Sequence, residues 1–163
     1  MDLTRAARDP WVWAQLGVML LIGLAAPLLP RYVNLGAADF MLNRVDPPWI
    51  RWIGAPLIAL GALIVAWGAR SLGPNLTPGT EPLPNATLVI NGAYAYARHP
   101  IYAGAVLLLT GYTLAWSNWT LTLLAGFSAL QFFKAKAGRE EEWLEARFPR
   151  YAAYRLHVRR MVL

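Results

Sequence analysis

GAYAYARHPIYAG, residues 92–104, sets an arginine, a histidine, a proline and three tyrosines at the threshold of an apolar run. Pro100 has no N–H and a fixed φ, which suits the first turn of a helix, with His99 beside it as the expected cap. The peptide N–H groups of Ile101, Tyr102 and Ala103 then point back unpaired at the positive end of the helix dipole. A carboxylate or phosphate is favoured there. Arg98 adds a fixed charge and a bidentate fork. Arg98 and Tyr102 stand i,i+4, and His99 and Tyr102 i,i+3, so all three can face one ligand. The same residue types at the foot of a membrane helix also serve as interfacial anchors, and composition alone does not separate the two readings.

The surrounding chain is that of a membrane protein. Its 163 residues are 57% hydrophobic, with a mean hydropathy of +0.36, which allows one domain at most. Cysteine is absent, so disulfides, thiolate metal sites and a cysteine nucleophile are excluded. Two histidines, His99 and His157, are too few for a histidine-rich zinc site. Neither a metal nor a nucleic-acid partner is expected. The net charge of +6 is local, because eight of the fifteen lysines and arginines fall from Lys134 onward.

Four apolar segments follow one another, at about 11–29, 49–67, 101–116 and 119–133. The first is an uncharged run of 19 residues, long enough for a bilayer core of ~30 Å and longer than a signal-peptide h-region. Its tryptophans, Trp11 and Trp13, suit one headgroup level. Residues 30–48 form a polar-flecked connection with Arg31, Asp39, Arg44 and Asp46. In the second segment Gly54, Gly61 and Gly68 recur every seven residues on one face, where small residues let another helix approach closely. Arg51, near its start, can snorkel outward. Pro74, Pro78, Pro82 and Pro84 then forbid a membrane helix over 71–97, and a loop of this length is commonly functional. Residues 88–90 favour an extended run that ends at an Asn91–Gly92 turn. The last two segments, joined at Ser117–Asn118, read as an antiparallel helical hairpin, with Gly104 and Gly111 sharing a face. With both termini inside, twelve lysines and arginines lie inside and three outside (Arg31, Arg44, Arg51). That favours four spans, with the proline-rich loop and the tail cytoplasmic. The expected architecture is one all-α, multi-pass integral-membrane domain. Its tail is helical to about Arg147, and that tail alone also reads as an amphipathic helix on an anionic leaflet.

RHPIYAG, residues 98–104, resembles the RHPxYxG motif of the isoprenylcysteine carboxyl methyltransferase family of integral-membrane enzymes. The tail run KAKAGREEEWLEARFPRYAAYRLHVRR looks like that family's second block: a basic residue, Lys136, four before a Glu140–Glu141 pair, then Leu144, Phe148 and two tyrosines three apart, Tyr151 and Tyr154. The tail departs from the pattern at Phe148–Pro149, where the family has Phe–Gly, and Glu142 leaves the register of the pair open by one. The resemblance covers roughly the second half of the chain.

It implies an S-adenosylmethionine-dependent methyltransferase. The cofactor would rest on Tyr96, His99, Pro100, Tyr102, Glu140, Glu141, Tyr151 and Tyr154, with Arg98 and Lys136 as catalytic cations. A sulfonium donor already carries an activated methyl group, so the protein supplies binding, orientation and electrostatics. A carboxylate acceptor needs only a cation to steer it, whereas an amine or thiol needs a base, for which His99 or a tyrosine is available. The expected partners are membrane lipids and a lipophilic or lipidated acceptor. The acceptor class stays open among prenylcysteine carboxylates, phospholipid amines and thiols. A nicotinamide-dependent membrane reductase of similar architecture and a non-enzymatic lipid-binding scaffold are the other readings.

Overall fold

The computed structural model describes residues 7–28, 49–116 and 119–161. The 30–48 connection, Leu29 and the Ser117–Asn118 joint lie outside the described residues. Among the described residues five α-helices carry the fold: α1 (Pro10–Leu28), α2 (Ile50–Leu72), α3 (Pro100–Trp116), α4 (Trp119–Arg147) and α5 (Tyr151–His157). Short 3₁₀ turns stand at Gly73–Asn75 and Gly92–Ala95, and no strand occurs among the described residues. The run at 88–90 has no regular structure and forms no strand among the described residues.

One helix is longer than the sequence pattern predicts, and another joins two segments read separately. α2 continues past Trp67 to Leu72, where Gly73 stops it at φ +54° and returns its N–H to Ala69 O. α4 does not end with its apolar half. From Lys134 to Glu142 there is no proline and the single Gly138 is outweighed by strong helix formers, so the apolar segment and the charged tail form one rod of 29 residues. At 1.5 Å per residue that is roughly 43 Å, more than a bilayer core requires. α1 and α2 are each long and apolar enough to cross a membrane, and only 11% and 17% of their apolar stretches are buried. A core helix of a soluble protein would be mostly covered. Here Leu20, Leu21, Trp52 and Leu63 face outward instead.

α3 is the hub, packing against α1, α2 and α4. Its contact with α2 is made through the glycines. A Cβ on Gly61 would stand 2.6 Å from Leu108 N and 2.7 Å from Gly104 O, and one on Gly111 would stand 2.8 Å from Gly54 O. Gly68 faces Ile101 in the same way. The order 54–111, 61–104, 68–101 is antiparallel, and the two backbones touch. On its other face α3 builds an apolar core with α1 and α4 from Ile22, Val106, Leu109, Ala129 and Phe133, to which Met161 of the tail adds its side chain. The Tyr112 hydroxyl donates to Gly23 O at 3.0 Å, tying α3 to α1.

The proline-rich loop is held by polar side chains rather than by regular structure. Asp9, just before α1, accepts from the N–H and hydroxyl of Thr80 at 2.6 and 2.9 Å. Asn75 spans the loop to the N–H of Thr87 at 2.9 Å. Ser71 accepts from Ala93 N–H at 3.1 Å, and Gly92 passes it at φ +59° where a Cβ would be 2.5 Å from the Ser71 oxygen. Only glycine satisfies both conditions there.

Gly61→Ala therefore forces α2 and α3 apart and should cost roughly 1–3 kcal/mol, read as a lower Tm of the purified protein in detergent. Gly17→Ala is the control, because nothing lies within 4 Å of a Cβ at that position. Equal melting of the two variants would contradict the close packing.

Candidate functional site

The start of α3, the loop and the second half of α4 enclose one cavity of about 330 Å³. Clefts of a few hundred Å³ are the usual size for small-molecule sites. Arg98, His99, Tyr102, Lys136, Glu140, Tyr151 and Tyr154 all line it. The loop contributes an apolar roof, including Leu76, Pro78, Pro82, Leu88 and Val89, and Phe148 closes another side.

The glutamates sort by helical position. Glu140 reaches the cavity, where it accepts a hydrogen bond from the Tyr102 hydroxyl and lies 3.4 Å from His99 Nδ1. Glu141 turns toward the α3 start and is 3% exposed. It meets His99 Nε2 at 3.1 Å, Arg98 at 3.1 Å and Arg160 at 2.6 Å. Glu142 points outward and pairs with Arg139 at 2.5 Å. The adjacent pair at the corner is thus Glu140–Glu141, with only Glu140 in the wall.

His99 bridges both carboxylates and is not a side-chain cap. Each ring nitrogen faces an acidic oxygen, an arrangement that favours the doubly protonated ring. Burial alone would lower its pKa, but the hydrogen bonds and charges of Glu140 and Glu141 outweigh this and raise it. Glu141 shows the converse: burial alone would raise its pKa, yet His99, Arg160 and Arg98 bring it down to about 2. The His99 ring stacks on Tyr102 at 5.4 Å, and Tyr102 on Phe133 at 5.0 Å.

The helix start is less open than expected. Ala103 N–H donates to His99 O at 3.1 Å, so it is not one of the free donors. The N–H groups of Arg98 and His99 are taken by the carbonyls of Arg159 and Arg160. Arg98 directs its terminal nitrogens to Glu141 and to Arg155 O, while its Nε is buried without a partner among the described residues. Tyr151 is 1% exposed, and its hydroxyl likewise has no partner. Tyr154 spends its hydroxyl on Tyr94 O at 2.5 Å. Burial, with the Glu141 charge also contributing, raises the pKa of Tyr151, and burial raises that of Tyr154 to about 12, so both stay protonated donors.

Lys136 is a buried cation, 1% exposed. It donates to Gln15 Oε1 at 2.5 Å and to Pro78 O at 2.8 Å, and stands 5.4 Å over the Tyr102 ring. No carboxylate of the described residues forms an ion pair with it. Burial lowers its pKa, opposed by the more distant charges of Glu140 and Asp9. Three predicted residues are not in the wall, Glu141 in the corner being one. Tyr96 is 70% exposed and packs on Trp67, and Pro100 is buried as the first residue of α3. Sequence reasoning missed Gln15, Tyr94 and Arg160. Gln15 carried a signal, as the one amide in an otherwise apolar span. Arg160 carried none. Among the described residues no group of three or more His, Asp or Glu is arranged to hold a metal.

The profile of the phospholipid methyltransferase family matches residues 49–150, well over half of the chain, and the chain belongs to that family. Within this frame a 72-residue stretch is 36% identical to the protein-S-isoprenylcysteine O-methyltransferase of Schizosaccharomyces pombe (strain 972 / ATCC 24843). The match covers 44% of this chain and 30% of that protein, so the chain spans less than a third of that relative's length.

The paired charges set a pH window. A raised His99 pKa gives stability that is complete below its ordinary value of 6.5 and is lost as the pH climbs through the higher folded value. A depressed Glu141 pKa gives stability that is complete above 4.5 and is lost as the pH falls toward about 2. Thermal melting in detergent should be flat between these two ordinary values and fall on both sides. His99→Gln should abolish the decline above 6.5. An unchanged alkaline limb would remove His99 from the cluster.

Proposed function

We propose that this chain is a membrane-embedded methyltransferase that takes a methyl group from S-adenosylmethionine to a lipophilic acceptor, by resemblance an isoprenylcysteine-type carboxylate. The observation that carries the reading is the single cavity into which both the 98–102 corner and Glu140 project. Four spans in one domain, with both termini and the loop on the cytoplasmic side, would put this cavity at the headgroup level. A water-soluble donor and a membrane-dissolved acceptor can meet there.

The residues present fit the donor. Two buried donors, Arg98 Nε and Tyr151 Oη, have no partner among the described residues and can serve an acceptor atom of the ligand. Glu140 offers a carboxylate to a cation or to ribose hydroxyls. The rings of Tyr94, Tyr102, Tyr151 and Tyr154 offer π-faces. When bound, the donor supplies an electrophilic methyl group on a sulfonium centre. Glu140 holds positive charge on its side of the cavity, and Lys136, across the Tyr102 ring, draws in an anionic acceptor. The loop, pinned by Asp9 and Asn75, keeps water out. A carboxylate acceptor is already nucleophilic, so none of these residues has to remove a proton.

Isothermal titration of the purified protein should show S-adenosylmethionine binding that Glu140→Gln weakens by about tenfold or more, 1.4 kcal/mol at least. Lys136→Met should leave donor affinity in place while lowering methyl transfer to a prenylcysteine acceptor, measured with labelled donor. A protein that ignores the donor and binds a nicotinamide dinucleotide would overturn the proposal. So would labelled transfer confined to phospholipid amines, as far as the acceptor is concerned.

A further inference from the structure

Beyond α5 the chain does not leave the site. Residues 158–161 run back along the 98–99 corner, where Arg98 N–H donates to Arg159 O at 2.9 Å and His99 N–H to Arg160 O at 3.0 Å. Met161 then enters the core. From this strap the Arg160 guanidinium meets both oxygens of Glu141, Nε to Oε1 at 3.1 Å and Nη2 to Oε2 at 2.6 Å.

The two oxygens are not served alike. Oε1 receives Arg98, His99 and Arg160, whereas among the described residues Oε2 is bonded by Arg160 alone. The terminal torsion of a glutamate is broad, so without Arg160 the two remaining contacts, both on Oε1, leave the carboxylate free to swing about it. A two-point guanidinium contact fixes the plane. Arg160 does not line the cavity and its side chain is 42% exposed, so its influence on a bound ligand passes through Glu141.

We propose that Arg160 is a positioning residue: by locking the Glu141 carboxylate it keeps Arg98 and His99 presented to whatever occupies the cavity. This rests on the reading above only in naming that occupant as the methyl donor. The charged and titratable groups around His99 are Glu140 and Glu141 from α4, Arg98 and Tyr102 from its own segment, and Arg160 from the strap.

The test uses full-length protein in detergent, with ¹⁵N-labelled histidine. His99 and His157 are the two histidines, and His157 is exposed, bonded to Ala153 O and remote in role. In Arg160→Ala the His99 titration midpoint should move upward, because the full Glu141 charge then acts on it, while His157 stays in place. S-adenosylmethionine affinity should fall by about tenfold, with partial recovery on adding guanidinium, which can enter the exposed position. Arg160→Lys preserves the charge but not the two-point contact, and should bind the donor at an intermediate level. It also serves as the readable variant if the alanine protein does not fold. A His99 midpoint unmoved in Arg160→Ala, or donor affinity in Arg160→Lys equal to wild type, overturns the proposal. Absence of donor binding in the unsubstituted protein would count against the donor reading instead, and the histidine titration would still decide the role of Arg160.

Discussion

A carboxylate withdrawn from water must recover its solvation from the protein, and Glu141 recovers it from Arg98, His99 and Arg160. Arg98 and His99 come from the α3 threshold and Arg160 from the strap that follows α5. Breaking a buried ion pair by removing one partner typically costs about 3–5 kcal/mol. The pairing therefore binds two distant parts of the chain, the 98–99 corner and the strap, to α4 at one depth. The cavity beside it inherits its shape from that clamp. Glu140, one residue earlier, turns into the opening, with Tyr102 and His99 on its flank.

The clamp depends in turn on how closely α2 and α3 approach. Glycines at both helix surfaces bring the backbones into contact and set the height of the α3 start against the end of α2, from which the loop departs. Ser71 at that end holds Ala93, and Asp9 at the start of α1 holds Thr80, so the roof is tied to two helices that flank α3. Lys136 completes the enclosure by joining α4 to Gln15 of α1 and Pro78 of the loop. Helix packing, loop anchoring and the polar wall of the cavity form one connected system.

Much of this was legible because it is periodic or local. The seven-residue glycine spacing showed the α2 face, and the arginine–histidine–proline order marked the α3 threshold. The i,i+3 relation placed His99 beside Tyr102, and Arg98 lines the same cavity. What was not legible depends on contacts between distant segments. Three successive glutamates differ by about 100° each around a helix, and only the packing of α4 shows which one faces the cavity, which the corner and which the solvent. The same holds for Arg160, indistinguishable in sequence from the other tail cations until the strap folds back. Tyr96 was misplaced because it lies in the motif-bearing run, yet the 3₁₀ turn before it aims it at Trp67. Of the peptide donors expected free at the start of α3, Ala103 N–H is taken by His99 O, and the Arg159 and Arg160 carbonyls that take the N–H groups of Arg98 and His99 come from a segment no local pattern reveals.

The corner around Arg98 and the segment around Glu140 wall one cavity, and the nucleoside of the proposed donor would span both. Photolabelling with an azido-adenosyl analogue of the methyl donor, followed by mass spectrometry of the labelled peptides, tests it most directly. The account predicts saturable labelling on peptides from both the 94–102 and the 136–154 stretches, competed away together by unlabelled donor. Labelling restricted to one of them, or insensitive to competition, would contradict it.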